Sequence, residues 1–406
     1  PLRLTAYGQK TCAATSGLYS ITFGAKSIHC IEQQGPMDQL RKLYVEITTA
    51  CNLNCRMCVR HAWREVHSSM RADTFRLLID QLKDLPHMPV IHFGGYGEPM
   101  SHPDFMEFAA LAKEAGAQVE VTTNGTLLNR IISSALIDID LDRLYVSIDS
   151  VSPEGYENIR VGSNYDHVIS SLRELWRMKL RRGNKHSNPQ VGIAFVAMRR
   201  NIEDLPRLPR LATYVGAWEI KVSNVVPHTP EMESEVLYER SLRAPTYRAS
   251  NQVPDMSLPK LDVDDRTLDS LCQVMNSRSS ISLLDASLSG RNDYCRFAQK
   301  GYAAVRWDGE VSPCLPLLHD HPEYVLGRRK DVTHFTLGNI VEQPIGELWA
   351  SDEYVQYRER LRTFPFSPCT TCGGCEHFAG NQSDCQEQTF PTCGGCLWAQ
   401  GFVQCP

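Results

Sequence analysis

No stretch of this 406-residue chain approaches the roughly 18 consecutive apolar residues of a bilayer-spanning helix. An integral helical membrane protein is therefore excluded, and membrane is not an expected partner. The opening Pro1-Leu2-Arg3-Leu4-Thr5 lacks the basic segment and apolar run of a secretory signal, so the cytoplasm is the expected compartment. Long runs of one charge sign are also missing. The 42 basic and 47 acidic residues are dispersed, for a net charge of −5, which argues against broad capture of nucleic acid and leaves small molecules or proteins as partners. The composition of a disordered polymer is absent too, since 42% of residues are apolar and 22% charged. A chain this long calls for one barrel-sized domain with a smaller one appended.

What the chain does have is cysteine. There are 15, and none lies between Cys58 and Cys272. Cys51, Cys55 and Cys58 form one group. Cys369, Cys372, Cys375, Cys385, Cys393, Cys396 and Cys405 crowd the C-terminus, with Cys295 and Cys314 upstream of them. Persistent disulfides are rare in a reducing compartment, so two separate metal regions are implied. Cys12, Cys30 and Cys272 stand apart and read as buried or inert thiols.

Residues 43 to 226 alternate short apolar runs with amphipathic stretches, the pattern of β/α units around a parallel sheet. Six strands are expected: Leu43 to Thr48, Val90 to Gly94, Gln118 to Thr123, Arg143 to Ile148, Val191 to Ala197 and Glu219 to Val225. Helices are expected between them, with Phe75, Leu78, Ile79, Leu82 and Leu85 on one face and an acidic cap at Asp104. The fold class is α/β, a partial (β/α)6 TIM-like barrel at residues 41–227. Residues 1–40 read as a β-hairpin extension. Residues 228–290, interrupted by Pro230, Pro245, Pro254 and Pro259, read as a linker or lid. Residues 291–406 form a cysteine-rich domain whose Asp308-Gly309 pair signals a hairpin. Parallel strands put their functional loops at the C-terminal ends, and the first three cysteines follow the first strand.

A cubane iron–sulfur cluster takes one thiolate per iron. The loop Cys51-Asn52-Leu53-Asn54-Cys55-Arg56-Met57-Cys58 supplies three, leaving one iron for an outside ligand. Alternatives are a zinc site completed by a histidine such as His61, or a remote fourth cysteine. The Cys-x3-Cys-x2-Cys spacing after strand one resembles the radical S-adenosylmethionine (SAM) enzymes, departing from them in having Met57 where an aromatic residue is usual. The resemblance implies a 4Fe-4S cluster whose open iron is chelated by SAM, and reductive cleavage of SAM to methionine and a 5′-deoxyadenosyl radical. Gly94-Gly95-Tyr96-Gly97-Glu98-Pro99 resembles the Gly-Gly-Glu-Pro element that binds the methionine amine, with glycine permitting close ligand approach. Thr123 and Asn124 after strand three coincide with a SAM-holding position of that family or form a mere turn, Ser147 and Asp149 at strand four fall where it places ribose contacts, and Arg160 resembles the residue that holds the SAM carboxylate. Taken singly, Asp149 also reads as a helix cap and Arg160 as a surface ion pair, but all four segments follow successive strands at one barrel face.

The spacing Cys369-x2-Cys372-x20-Cys393-x2-Cys396 fits a four-cysteine zinc ribbon. Nine C-terminal thiols exceed one zinc and suffice for two cubanes with one to spare. The segment Cys295-x13-Gly309-x4-Cys314 resembles the SPASM extension of radical SAM enzymes, which implies auxiliary clusters with ligands drawn from these nine thiols. Downstream the spacings depart from the usual run, so pairing stays open.

Longer strings, among them 195–199, 222–227 with Asn224, 306–319 and 391–401, resemble the tungsten cofactor oxidoreductase radical SAM maturases. That resemblance implies modification of a tungsten-dependent aldehyde oxidoreductase or its pterin cofactor, with reduced ferredoxin or flavodoxin as electron donor. His228, His319, His321 and the trio Arg328-Arg329-Lys330 could meet a phosphate-bearing pterin or serve ordinary structural roles. The alternatives are a SPASM enzyme that crosslinks or epimerises a ribosomal peptide, and a cysteine-rich scaffold without catalysis. No winged-helix leader-binding pattern precedes strand one, which favours the first reading.

Overall fold

The computed structural model describes residues 39–63, 65–182, 188–239, 270, 295–361, 375–385 and 387–405 in full, and the backbone of residue 362 and of five further strands. Those five are β1 (Tyr19–Phe23), β2 (Lys26–Cys30), β9 (Asp255–Leu258), β10 (Ser280–Leu283) and β11 (Ala286–Ser287). Cys12, Cys272, Cys369 and Cys372 lie outside the described residues.

Six parallel strands build the barrel: β3 (Lys42–Val45), β4 (Val90–Phe93), β5 (Val119–Thr123), β6 (Arg143–Ser147), β7 (Gln190–Ala197) and β8 (Glu219–Asn224), side by side in chain order. Alternation along each strand divides its faces. Leu43, Val45, Phe93, Val121, Val146 and Phe195 are buried in the layer beneath the helices. Helix Ala72–Lys83 adds Phe75, Leu78, Ile79 and Leu82 to that layer, and Phe75 stacks on Phe108 at 4.3 Å. At Asp104 the outcome differs from expectation. The Asp104 side chain caps nothing; instead its N–H donates to His102 Nδ1 at 3.1 Å.

The lumen face is polar. Glu120 meets Lys42 at 2.8 Å, His92 at 3.1 Å and Arg143 at 2.9 Å. Lys42 and Arg143 open their strands, so this network plugs the N-terminal end of the barrel. Function is thereby left to the opposite end.

The C-terminal region is part of the same sheet. β12 (Tyr302–Val305) pairs in parallel with β3, then antiparallel with β13 (Glu310–Ser312), which pairs with β16 (Gly338–Asn339). One nine-stranded sheet thus crosses the boundary drawn between barrel and C-terminal domain. Gly309 takes the left-handed φ of +92° that the tight turn between β12 and β13 requires. β14 (His321–Val325) and β15 (Arg328–Val332) form a separate hairpin. Within 228–290, β9, β10 and β11 form a three-stranded sheet rather than an unbroken irregular linker, and β1 pairs with β2 as a hairpin. Among the described residues no helix is long and apolar enough to cross a membrane.

Candidate cluster and cofactor site

Cys51, Cys55 and Cys58 lie on the loop after β3, at the C-terminal end of the barrel, and the short 3-10 helix Val59–His61 follows. Each sulfur has its own N–H donor. Asn124 Nδ2 reaches Cys51 Sγ at 3.8 Å, Arg160 Nη1 reaches Cys55 Sγ at 3.8 Å, and Arg60 Nε reaches Cys58 Sγ at 3.2 Å. Burial pushes the Cys55 thiol up to about 11, Arg160 acting against it, and raises Cys51 as well. Three shielded thiols supplied with two guanidinium groups and an amide fit a bound metal–sulfur cluster of negative charge, and cluster sulfurs are tuned by such hydrogen bonds. His61 spends Nε2 on the Cys55 carbonyl at 2.8 Å.

Around this loop the residues expected to hold SAM converge. Buried Glu98 accepts from Thr123 Oγ1 at 2.6 Å, Asn124 N at 2.7 Å and Met100 N at 3.1 Å. Burial raises its pKa against those donors. Its carboxylate is therefore committed to joining the ends of β4 and β5, which fixes Asn124 beside Cys51. The glycines also serve the packing of the loop itself. A Cβ on Gly95 would meet Glu46 Oε1 at 2.7 Å, one on Gly97 would meet Thr48 O at 2.0 Å, and one on Gly94 would meet the His92 ring at 2.9 Å. Their bareness lets the loop pack on its own strands.

Asp149 and Arg160 are neither helix cap nor surface pair. Asp149 is 0% exposed and Arg160 8%; Arg160 Nε lies 2.7 Å from Asp149 Oδ2, while Asp149 Oδ1 accepts from Val196 N at 2.7 Å. Arg160 is thereby held with one nitrogen on the carboxylate and another toward Cys55. Burial raises the Asp149 pKa and Arg160 lowers it. Ser147 ends β6, partly buried. Asn224 ends β8, but its amide donates to the Phe402 carbonyl at 2.8 Å, tying down the C-terminal tail.

A second group of thiols assembles from distant sequence. Cys295 precedes helix Arg296–Lys300, Cys314 follows β13, and Cys393 and Cys396 come from the C-terminal turns. These four lie close enough to act on one another electrostatically, and burial of the thiols pushes Cys295 and Cys396 up to about 12 and Cys314 well above its ordinary value. Tyr357 Oη is 3.3 Å from Cys393 Sγ. Four thiols are the donor set of one cubane, and Cys393 and Cys396 stand here with Cys295 and Cys314; the other half of the zinc-ribbon spacing, Cys369 and Cys372, lies outside the described residues. Among the described residues no three His, Cys, Asp or Glu side chains converge as they would on a single metal ion. Cys405 packs with Tyr44, Ala304 and Trp398, while Cys375 and Cys385 are exposed.

The basic trio is dispersed. Arg328 stacks on Phe378 at 3.7 Å, Arg329 pairs with Asp331 at 2.7 Å, and buried Lys330 donates to Gly395 O at 3.3 Å. No shared phosphate-binding face results. His228 and His321 are buried and bond through Nδ1 to the carbonyls of Pro322 and His319; burial pushes His228 down to about 4. His319 sits between Glu46 and Glu65. Sequence reasoning missed Arg60, Glu46 and Glu65. For Arg60 a signal existed, a cation two residues from a candidate thiolate.

Comparison with known proteins agrees with this geometry. Residues 45–194 match the radical SAM superfamily and residues 295–376 match the SPASM iron–sulfur cluster-binding domain. The chain is a radical SAM/SPASM enzyme, using SAM with a 4Fe-4S cluster and carrying auxiliary iron–sulfur binding in its C-terminal domain. It belongs to the family of the tungsten-containing aldehyde ferredoxin oxidoreductase cofactor-modifying protein of Pyrococcus furiosus, with 30% identity over 90% of this chain and 97% of that protein. It is also 26% identical to the AdoMet-dependent heme synthase of Methanosarcina barkeri, over 82% of this chain and 87% of the relative. In fold it is similar to SuiB of Streptococcus suis bound to S-adenosylmethionine, with a TM-score of 0.53 and 16% identity over 82% of this chain and 70% of that one. AdoMet-bound anSMEcpe gives a TM-score of 0.52 and 17% identity over 83% and 87%.

Proposed function

We propose that this enzyme is a maturase acting on a tungsten–pterin cofactor or on the aldehyde oxidoreductase that hosts it. The observation carrying the reading is the near full-length likeness to a protein named for modifying that cofactor, joined to a loop that supplies three thiols to a four-iron cluster. Cys51, Cys55 and Cys58 would hold the SAM cluster, and Cys295, Cys314, Cys393 and Cys396 one auxiliary cluster. Cys369, Cys372, Cys375, Cys385 and Cys405 supply candidates for a second. When bound, the SAM cluster supplies the electron for reductive cleavage of SAM, and SAM supplies the hydrogen-abstracting radical. The chain's own residues do the holding. Arg160, fixed by Asp149, orients its guanidinium at the cluster loop, where a SAM carboxylate would lie. Asn124, fixed by Glu98, faces Cys51. The C-terminal arm, which reaches Glu46 through His319 and Tyr96 through Leu315, would help exclude water from a reactive intermediate.

A reduced ferredoxin or flavodoxin in the cytoplasm is the proposed electron source. The ribosomal-peptide alternative gains no observation beyond a shared fold. Deletion of the gene in its host tests the proposal: tungsten-dependent aldehyde oxidoreductase activity should be lost and return on complementation, whereas full activity in the deletion strain would remove the proposed role.

A further inference from the structure

His319 leaves the C-terminal domain and enters the barrel. Its Nε2 lies 2.6 Å from Glu46 Oε2 and its Nδ1 2.8 Å from Glu65 Oε2. The His319 and Glu46 side chains are 0% exposed, and that of Glu65 is 37% exposed. Both ring nitrogens thus face carboxylates, and a neutral imidazole would turn a lone pair on one of them. The arrangement calls for an imidazolium. Trp63 packs on the ring at 4.4 Å and Tyr96 meets it edge-on at 5.8 Å. Among charged groups, Glu46 and Glu65 act on His319, and Arg306 acts on Glu65 from the β12–β13 turn.

Glu46 does not end there. Its Oε1 accepts the backbone N–H of Tyr96 at 2.9 Å, and it lies directly under Gly95. Tyr96 and Gly97 are the two residues by which this segment exceeds a Gly-Gly-Glu-Pro run. The Tyr96 hydroxyl in turn donates to the Leu315 carbonyl at 3.3 Å, one residue after Cys314. A continuous chain of contacts therefore runs from Cys314 and Leu315 to Tyr96, and from His319 through Glu46 to the same loop.

We infer that His319 is a positioning residue: protonated between Glu46 and Glu65, it holds the Gly94–Gly97 loop in its SAM-binding shape and makes SAM binding depend on the seating of the auxiliary-cluster arm. The inference rests on the reading of that loop as part of the SAM site. It requires no contact between His319 and SAM, because the imidazolium acts through Glu46 and the Tyr96 amide. Burial works against protonation, but the hydrogen bonds and charges of Glu46 and Glu65 raise the His319 pKa above its ordinary value. The sign follows: the imidazolium is complete below about pH 6.5 and is lost as pH rises through the elevated folded pKa. SAM affinity should fall with it.

The test is anaerobic calorimetry of SAM binding to the reconstituted full-length protein from about pH 6 to about pH 9. Wild type should show an alkaline loss of affinity. His319→Ala should bind about tenfold more weakly at low pH, the order of one charged hydrogen bond, and show no such break. Glu65→Gln keeps the fold at a part-exposed position and should retain low-pH affinity while its break moves to lower pH. Binding by all three with superposable pH profiles would overturn the inference. Failure of wild type to bind SAM at any pH would instead overturn the assignment of the loop.

Discussion

Arg160 holds Asp149 with Nε at 2.7 Å and turns Nη1 toward Cys55 Sγ at 3.8 Å. One side chain thereby links the end of β6 to the middle cysteine of the cluster loop. Its partner is fully buried, so the pair is sensitive to loss of either member. Asp149→Ala should destabilise the fold by about 3–5 kcal/mol, the cost of stranding a buried charge. Denaturant unfolding of the apoprotein measures this, and a change below about 1 kcal/mol would show that Arg160 finds water instead.

SAM affinity should weaken in Glu98→Ala, Asp149→Ala and Arg160→Ala, each with its iron retained. The reasons differ, since Glu98 and Asp149 act by holding Asn124 and Arg160. Unchanged affinity in all three by calorimetry would mean that the barrel face has been assigned wrongly.

Anaerobically reconstituted protein should carry about 12 irons from three cubanes. Replacing Cys51, Cys55 and Cys58 together with alanine should remove about four and abolish SAM cleavage. Iron analysis with Mössbauer spectroscopy checks the count. Zinc in place of iron in the C-terminal region would contradict the auxiliary clusters.

The Glu120 plug sets an acid limit. Burial raises the Glu120 pKa, but His92 and Lys42 outweigh it and the net shift is strongly downward. A depressed folded pKa contributes stability above the unfolded value near 4.5, lost as pH falls through the folded one. Glu120→Gln should therefore flatten the loss of apoprotein stability below about pH 4.5. An unchanged acid profile would place that dependence elsewhere.

Much of this architecture was legible in the sequence because it is local. Leu43, Val45 and Ile47 alternate with lumen residues, Phe75 to Leu82 mark a helix face, and the three cysteines sit within eight residues of one loop. The remainder depends on contacts between distant residues. Lys42 and Glu120 are 78 apart and Glu46 and His319 are 273 apart, so no window of sequence displays either pair. The same holds for the thiol group, where Cys393 and Cys396 fit a zinc ribbon by spacing yet stand with Cys295 and Cys314 in space. The glycine loop was recognisable by motif, but what occupies the space beside each glycine was not.

The most direct measurement of the central claim follows radical generation and radical use together. Purified wild type, Cys55→Ala and Cys295→Ala are each incubated anaerobically with SAM, a reductant and the unmatured tungsten oxidoreductase. Release of 5′-deoxyadenosine and aldehyde oxidation are then measured side by side. Wild type should give both, Cys55→Ala neither, and Cys295→Ala 5′-deoxyadenosine without an active oxidoreductase. Aldehyde oxidation that develops equally with Cys55→Ala would contradict the claim that this enzyme matures its target by SAM-derived radical chemistry.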